Sequence, residues 1–289
     1  MEVVGMQLLI GVSYGMLLFV LAAGLTLIMG VMKILNLAHG SLYVFGAYAG
    51  VVLTHLSGPW SNFWLATLAG GLAGGLIGLM LERGFLSHLY KELDEQVLLT
   101  FGFIYIFENV ARWIWGPWLK IVRPPPFLSG SIDVGRLSFP TYRFAIIAIG
   151  LMIALGLWFL VQRTRVGSII RAGMDDKEMT QGLGLNYRLI GSAIFFFGAF
   201  LAGVAGFLGA ALSGVTPFMG IDIMLLAVIV IVIGGMGSIL GALLGAMLLG
   251  IINSFGKAFF PDFVLFTAYL AMVAILLFRP TGLLGRKEI

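Results

Sequence analysis

The sequence predicts an all-α integral membrane protein, and three observations support that fold class. Of its 289 residues, 60% are hydrophobic and 10% are charged, against roughly 45–50% and 25% in a soluble protein. Glycine contributes 41 residues, about twice its usual share, and small residues are favoured where membrane helices pack closely. Uncharged stretches recur along the chain, each near the ~20 residues that span a bilayer. The expected architecture is therefore a polytopic helical bundle.

The spacing of the charged residues predicts the number of spans. One span lies between Glu2 and Lys33, and two more lie between Lys33 and Glu82, separated by the turn-forming stretch LSGPWSN. Further full spans are predicted at 97–117, at 143–163, after Arg188, after the break GGMGS, and at 263–278. A short segment near 222–235 either crosses or re-enters. The prediction is about eight full transmembrane helices plus one short or re-entrant segment.

Lys and Arg predict which side of the membrane each loop faces, because they resist translocation. Loop 163–188 holds five of them, so we assign it to the cytoplasm together with loop 83–96 and the C-terminus. Loop 118–141, which contains a triple proline, is then a stiff periplasmic connector, and the N-terminus lies outside. Residues 1–289 are expected to form a single transmembrane domain.

The sequence lacks the motifs of membrane enzymes and of ATP hydrolysis. It has three His and no Cys, without HExxH, so neither a catalytic residue nor a metal site is expected. The stretch GIINSFGKA has five residues between its glycines and Ala after the Lys, unlike the phosphate-binding pattern GxxxxGK[ST]. We therefore expect this chain to bind no cofactor, and any ATP must be used by a partner.

Glu108 and Arg112 are the clear ionisable residues within a predicted span. They are four residues apart, so they lie on one helix face and can neutralise each other. We interpret them as an intramembrane ion pair. A role in passing substrate is the alternative, because ionisable residues inside membranes often mark transport routes.

Two interruptions, one in each half of the chain, favour broken helices. They are KILNLAHGS at 33–41 and GGMGS at 234–238. Paired interruptions of this kind indicate a transport pathway, although a plain cytoplasmic turn explains each about as well. The candidate pathway or helix-break residues are Asn36, His39, Gly40, Gly234, Gly235 and Gly237.

Rows of small residues predict close helix crossings rather than chemistry. They are Gly70, Gly74 and Gly78, then Gly46 and Gly50, then Gly237, Gly241 and Gly245.

The most polar stretch is RAGMDDKEMTQGLGLN at 171–186. Met174 to Gln181 contains helix formers with acidic residues in the predicted first turn, and Gly182 and Gly184 are stop signals. The stretch is either a solvated loop helix or a rigid knob for a cytoplasmic partner.

Four stretches together resemble a known family: GLTLIMGVMKILNLAHGSLYVFGAYAG, RAGMDDKEMTQGLGLN, VIGGMGSILGALLGAMLLG and FRPTGLLGR. In order and spacing they are similar to the permeases of bacterial branched-chain amino-acid ABC importers, of the LivH kind rather than LivM. In that family the inside loop carries a variant of the EAA motif and docks on the ATPase. Glu178-Met179-Thr180 falls where Glu-Ala-Ala would be, with Met and Thr replacing both Ala, and Gly184-Leu185-Asn186 matches Gly-Ile-Asn. The resemblance implies these ATPase-coupling residues: Arg171, Asp175, Asp176, Glu178, Gly184 and Asn186.

The resemblance also implies partners and a location. The chain would be a permease subunit in the bacterial inner membrane, paired with a LivM-like permease on two cytoplasmic ABC ATPases that bind ATP and Mg. A periplasmic binding protein would deliver hydrophobic or branched-chain amino acids, and no nucleic-acid partner is expected. Urea or short-chain amides, carried by related importers, are the alternative substrates. A stand-alone facilitator is the contrasting hypothesis, disfavoured because it leaves loop 163–188 without a partner.

Overall fold

The computed structural model shows a bundle of long helices, and it describes residues 2–57, 63–90, 92–134, 137–175 and 186–285. The all-helical class is confirmed. The helices are α1 (Glu2–Met32), α2 (His39–Ser57), α3 (Phe63–Gly84), α4 (Leu93–Trp115), α5 (Thr141–Arg163), α6 (Arg165–Asp175), α7 (Tyr187–Ser213), α8 (Gly220–Gly234), α9 (Ile239–Phe259) and α10 (Val264–Phe278).

Within the described chain, seven helices are long and apolar enough to cross a membrane, so the expected number of about eight is approximate. They are α1, α3, α4, α5, α7, α8 with its preceding turn, and α9. The short segment predicted near 222–235 is long enough to be a candidate span, because a 3-10 turn at Pro217–Met219 extends it to Pro217–Gly234. The expected last span contains only a shorter apolar helix, Phe266–Phe278.

Helices α1 and α7 form the centre of the bundle, since 89% and 78% of the residues in their most apolar stretches are buried. α1 packs along α9 and α7, and α3 packs along α7 and α2. The predicted close crossings are confirmed. A Cβ on Gly46 would overlap the backbone of Gly203, and one on Gly70 would lie 2.6 Å from the carbonyl oxygen of Gly46. Gly237 is the exception, because it lies in the turn before α9 with a φ of 78°.

Loop 118–141 is more structured than a connector. It contains an antiparallel hairpin of β1 (Ser131–Val134) and β2 (Leu137–Pro140), in which Ile132 faces Phe139. Four-residue strands leave too short a pattern to be predicted. Pro125 has φ −61° and ψ 155°, close to the polyproline II values that its neighbours predict.

Candidate translocation site

The first break, residues 33–38, is not helical and turns back into the bundle. α2 begins at His39, whose Nε2 lies 3.3 Å from the carbonyl oxygen of Leu21. Leu21 precedes the end of α1 by eleven residues, which is about 16 Å at 1.5 Å per residue. The chain therefore turns back alongside α1 before α2 starts, so that α2 begins inside the bundle and not at the end of α1.

Asn36 and His39 are fully buried in this break. Asn36 Oδ1 accepts the backbone N–H of Ala38 at 3.1 Å, which holds the turn. His39 Nε2 donates to Leu21, because a carbonyl oxygen only accepts. The remaining polar atoms, Asn36 Nδ2 and His39 Nδ1, have no hydrogen-bond partner among the described residues. An unpaired buried polar atom costs about 1–3 kcal/mol, so both atoms favour contact with water or substrate.

Helix α4 supports the break with two buried polar residues that the sequence reasoning missed. The Leu37 backbone N–H donates to Thr100 Oγ1 at 3.2 Å, and the Thr100 hydroxyl donates to the carbonyl oxygen of Gln96 at 2.8 Å. Gln96 is 2% exposed, and its Oε1 has no partner in the described part of the chain. A Gln and a Thr four residues apart in an apolar span were the available signal.

The first turns of α2 and α8 meet beside the break. A Cβ on Gly40 would overlap the carbonyl oxygen of Gly220 and lie 2.9 Å from Cβ of Met224. Only glycine permits this approach, which explains Gly40 in the motif. In the first turn of α2 the N–H groups of His39, Ser41 and Leu42 already donate to the carbonyl oxygens of Asn36 and Ala38. What each first turn presents is the positive end of a helix dipole. Asp222 is exposed in the first turn of α8, where the same dipole stabilises its carboxylate.

The second break does not join this site. Gly235 and Gly237 have φ values of 100° and 78°, and Gly234 lies at the far end of α8 from Gly220, about 21 Å along the axis. The C-terminal segment Arg279–Gly285 docks there instead. Leu283 and Leu284 donate their N–H groups to the carbonyl oxygens of Ile233 and Gly234 at 2.8 and 2.9 Å. These glycines therefore form a closed turn.

The predicted ion pair is not formed within the described chain. Glu108 is half-buried and Arg112 is exposed on α4, and neither side chain makes an ion pair with another described residue. Four-residue spacing permits contact, but holding two long side chains in one geometry opposes it. Their part in the transport route stays a prediction.

A buried carboxylate lies at the end of α3, where a charge at a span boundary is ordinarily exposed. Glu82 is 1% exposed. The Ser192 hydroxyl donates to Glu82 Oε2 at 2.7 Å, and the Tyr90 hydroxyl donates to Oε1. Glu82 thereby ties α3 to α7. A cavity of about 660 Å³ opens beside it, lined by Glu82, Arg83, Ser87, His88, Asn186, Arg188, Leu189 and Ser192.

Three of the predicted coupling residues can be placed. Arg171 on α6 donates to the carbonyl oxygen of Val161 on α5, and Asp175 is the last residue of α6. Asn186 caps α7, because its Oδ1 accepts the N–H of Leu189 at 3.2 Å. The remaining three, together with most of the predicted 174–181 helix, lie outside the described residues: Asp176, Glu178 and Gly184.

Ser192→Ala is expected to lower the free energy of unfolding by about 1–3 kcal/mol, because it leaves a buried carboxylate with one donor fewer. Thermal denaturation in detergent measures the loss. Ser129→Ala is the matched control, since that hydroxyl bonds to a backbone carbonyl at an exposed site. Equal effects of the two variants would show that Glu82 does not tie α3 to α7.

Residues 7–278 match a family model described as "Branched-chain amino acid transport system / permease component". The chain belongs to this family. Relatives include BraD of Pseudomonas aeruginosa, 29% identical, and LivH of Escherichia coli, 27% identical, each over 98% of this chain and 96% of the relative. LivM of Escherichia coli is 29% identical over 93% of this chain and 68% of its own. All three are described as high-affinity branched-chain amino acid transport system permease proteins.

The family and the apolar helices identify a multi-pass inner-membrane permease. The fuller coverage of LivH agrees with the LivH-kind features of the sequence. One solved structure, PsaBC from Streptococcus pneumoniae in complex with Fab, matches all of this chain and 94% of that one at 11% identity, with a TM-score of 0.50. At that identity the likeness concerns the fold alone.

Proposed function

We propose that this chain is the LivH-like permease subunit of an ATP-binding-cassette importer for branched-chain and related hydrophobic amino acids. The observation that carries the proposal is the match to BraD and LivH over 96% of their lengths. The N-terminus lies in the periplasm and the C-terminus in the cytoplasm. The partners are a LivM-like permease, two cytoplasmic ATPases and a periplasmic binding protein. ATP is hydrolysed on the ATPases, and this chain carries the substrate.

The substrate passes the junction of α2 and α8. An amino acid presents a carboxylate there, and the positive ends of two helix dipoles stabilise negative charge. Asn36 Nδ2 adds a hydrogen-bond donor without a partner in the described chain. Met224, next to Gly40, offers an apolar contact for a hydrophobic side chain. Urea carries no charge, so it would gain nothing from the positive helix ends at this junction.

Coupling follows a chain of contacts from loop 163–188 to the junction. The loop leads into Asn186, which caps α7, and Ser192 on α7 binds Glu82 on α3. α3 in turn crosses α2 through Gly70 and Gly46. An ATPase that displaces the loop would therefore shift α7 and α3 together, because packed elements move as units. That movement changes the space around the start of α2.

A double variant that carries Glu178→Ala and Gly184→Leu is expected to reduce substrate-stimulated ATPase activity and uptake at least tenfold. Both residues belong to the stretch that contacts the ATPase, so the loss is one of coupling. Proteoliposomes holding the whole complex report both activities. Ser129→Ala with Asp133→Ala, at exposed sites of loop 118–141, is the control. Unchanged activity in the first double variant would contradict the proposal.

A further inference from the structure

Helix α4 is the most exposed of the described spans and also the least apolar. In its most apolar stretch 17% of the residues are buried and the mean hydropathy is 1.4. In that of α5, 33% of the residues are buried and the mean hydropathy is 2.7. A helix surrounded by lipid is expected to be strongly apolar, because polar side chains are unfavourable in hydrocarbon. α4 shows the reverse combination. Its exposed face therefore suits a protein surface better than lipid.

The exposed face carries a regular seam. Its residues follow spacings of four, three, four and three, which is the repeat of helices that pack side by side. A Cβ added to Gly102 in this seam would have nothing within 4 Å of it, so the position leaves room for a second helix to approach closely. The seam consists of exposed residues, namely Leu98, Gly102, Tyr105, Asn109 and Arg112.

The opposite face of α4 is already occupied. The Phe107 ring centroid lies 5.4 Å from that of Phe45 on α2, and the Trp115 ring stacks on Tyr48 at 4.6 Å. These contacts fix the rotation of α4 about its axis. The seam therefore stays on the outer face of this chain. Asn109 Nδ2 donates to the carbonyl oxygen of Tyr105 on the same helix at 2.9 Å, which leaves the Arg112 guanidinium for another molecule to contact.

Two charged residues of α4 indicate what kind of molecule covers the seam. Glu108 flanks the seam and Arg112 belongs to it, and neither has an ion-pair partner in the described chain. Charged groups in membrane spans are ordinarily paired, and Arg112 lies in the last turn of α4 with Glu108 one turn before it. A covering protein surface can supply counter-charges to both, which lipid chains cannot. LivM of Escherichia coli is similar in sequence over 93% of this chain's length. Two homologous subunits are expected to pack about a pseudo-two-fold axis, which brings equivalent faces together.

We propose that the α4 seam is the surface on which the second, homologous permease subunit packs, and that this subunit supplies the counter-charges for Glu108 and Arg112. The inference rests on the proposed function, which requires such a subunit. It assigns the interface to one face of one helix. α5, which is exposed and strongly apolar, is left to lipid.

Site-directed cross-linking tests this assignment, because the chain has no Cys. Tyr105→Cys and Leu151→Cys are matched, since both side chains are exposed and each lies ten residues from the end of its helix next to loop 118–141. A benzophenone maleimide is attached to each in the purified complex in nanodiscs. Tyr105→Cys is expected to give at least fivefold more adduct with the second permease than Leu151→Cys. Equal yields, or adducts with lipid or an ATPase alone, overturn the assignment.

A second measurement separates assembly from folding. Gly102→Leu and Gly156→Leu both enter space that is open in this chain, so both variants are expected to fold. Gly102→Leu should lower the co-purified second permease at least threefold, and Gly156→Leu should leave it unchanged. A normal yield for both variants would refute the seam and leave the importer intact. If no second permease accompanies the wild-type chain, the seam and the proposed complex both fail.

Discussion

Gly46→Ala is expected to lower the free energy of unfolding by about 2 kcal/mol, although Ala is the better helix former by roughly 1 kcal/mol. The new Cβ would overlap Cα of Gly203, and backbone atoms cannot rotate aside as a side chain can. Gly203 also contacts Gly70, so the substitution separates α2, α3 and α7 at one crossing. Overpacking of this kind costs typically about 1–3 kcal/mol, occasionally more. Thermal denaturation in detergent measures the result.

Gly156→Ala is the control for that prediction and should have the opposite sign. No atom lies within 4 Å of a Cβ at Gly156 on α5. Only the helix propensity term remains, which favours Ala by roughly 0.5–1 kcal/mol. If both variants lose stability equally, the glycine rows do not act through backbone contact.

His39→Gln is expected to reduce uptake at least tenfold while the complex still assembles. The Gln amide can replace Nε2 as the donor to Leu21, so the start of α2 stays in place. It cannot replace Nδ1, which has no partner among the described residues. A tenfold loss corresponds to about 1.4 kcal/mol, close to the contribution of one hydrogen bond to a charged group. Uptake of labelled leucine into proteoliposomes is the measurement.

His55→Gln is the matched control, since His55 lies away from the break, in the last turn of the same helix. It should leave uptake unchanged. His39→Leu should be worse than His39→Gln, because it also removes the hydrogen bond to Leu21. If His39→Gln takes up leucine at the wild-type rate, His39 Nδ1 does not take part in transport.

Charge spacing and glycine rows predicted the helical class and the crossings, because both depend on residues close together in the sequence. They did not reveal the depth of the first break. That depth depends on His39 reaching Leu21, 18 residues away on another helix. Glu82 looked like a boundary charge for the same reason, since its donors are Ser192 and Tyr90.

The Glu108–Arg112 pair shows the converse error. Helical spacing placed both residues on one helix, but spacing alone does not establish that two long side chains meet. The second break was predicted as a break and is one. Its role could not be inferred, because its partner is the C-terminal segment that follows α10. The coupling residues Asp176, Glu178 and Gly184 lie outside the described residues, so their contact with an ATPase stays a prediction.

The most direct measurement is the composition and transport activity of the chain purified in mild detergent from its native membrane. We predict a complex with two P-loop ATPases and a second permease. In liposomes this complex should take up leucine only when ATP and the binding protein are present, and leucine should outcompete urea. A chain that purifies alone and moves solute without ATP would contradict the importer and establish a facilitator.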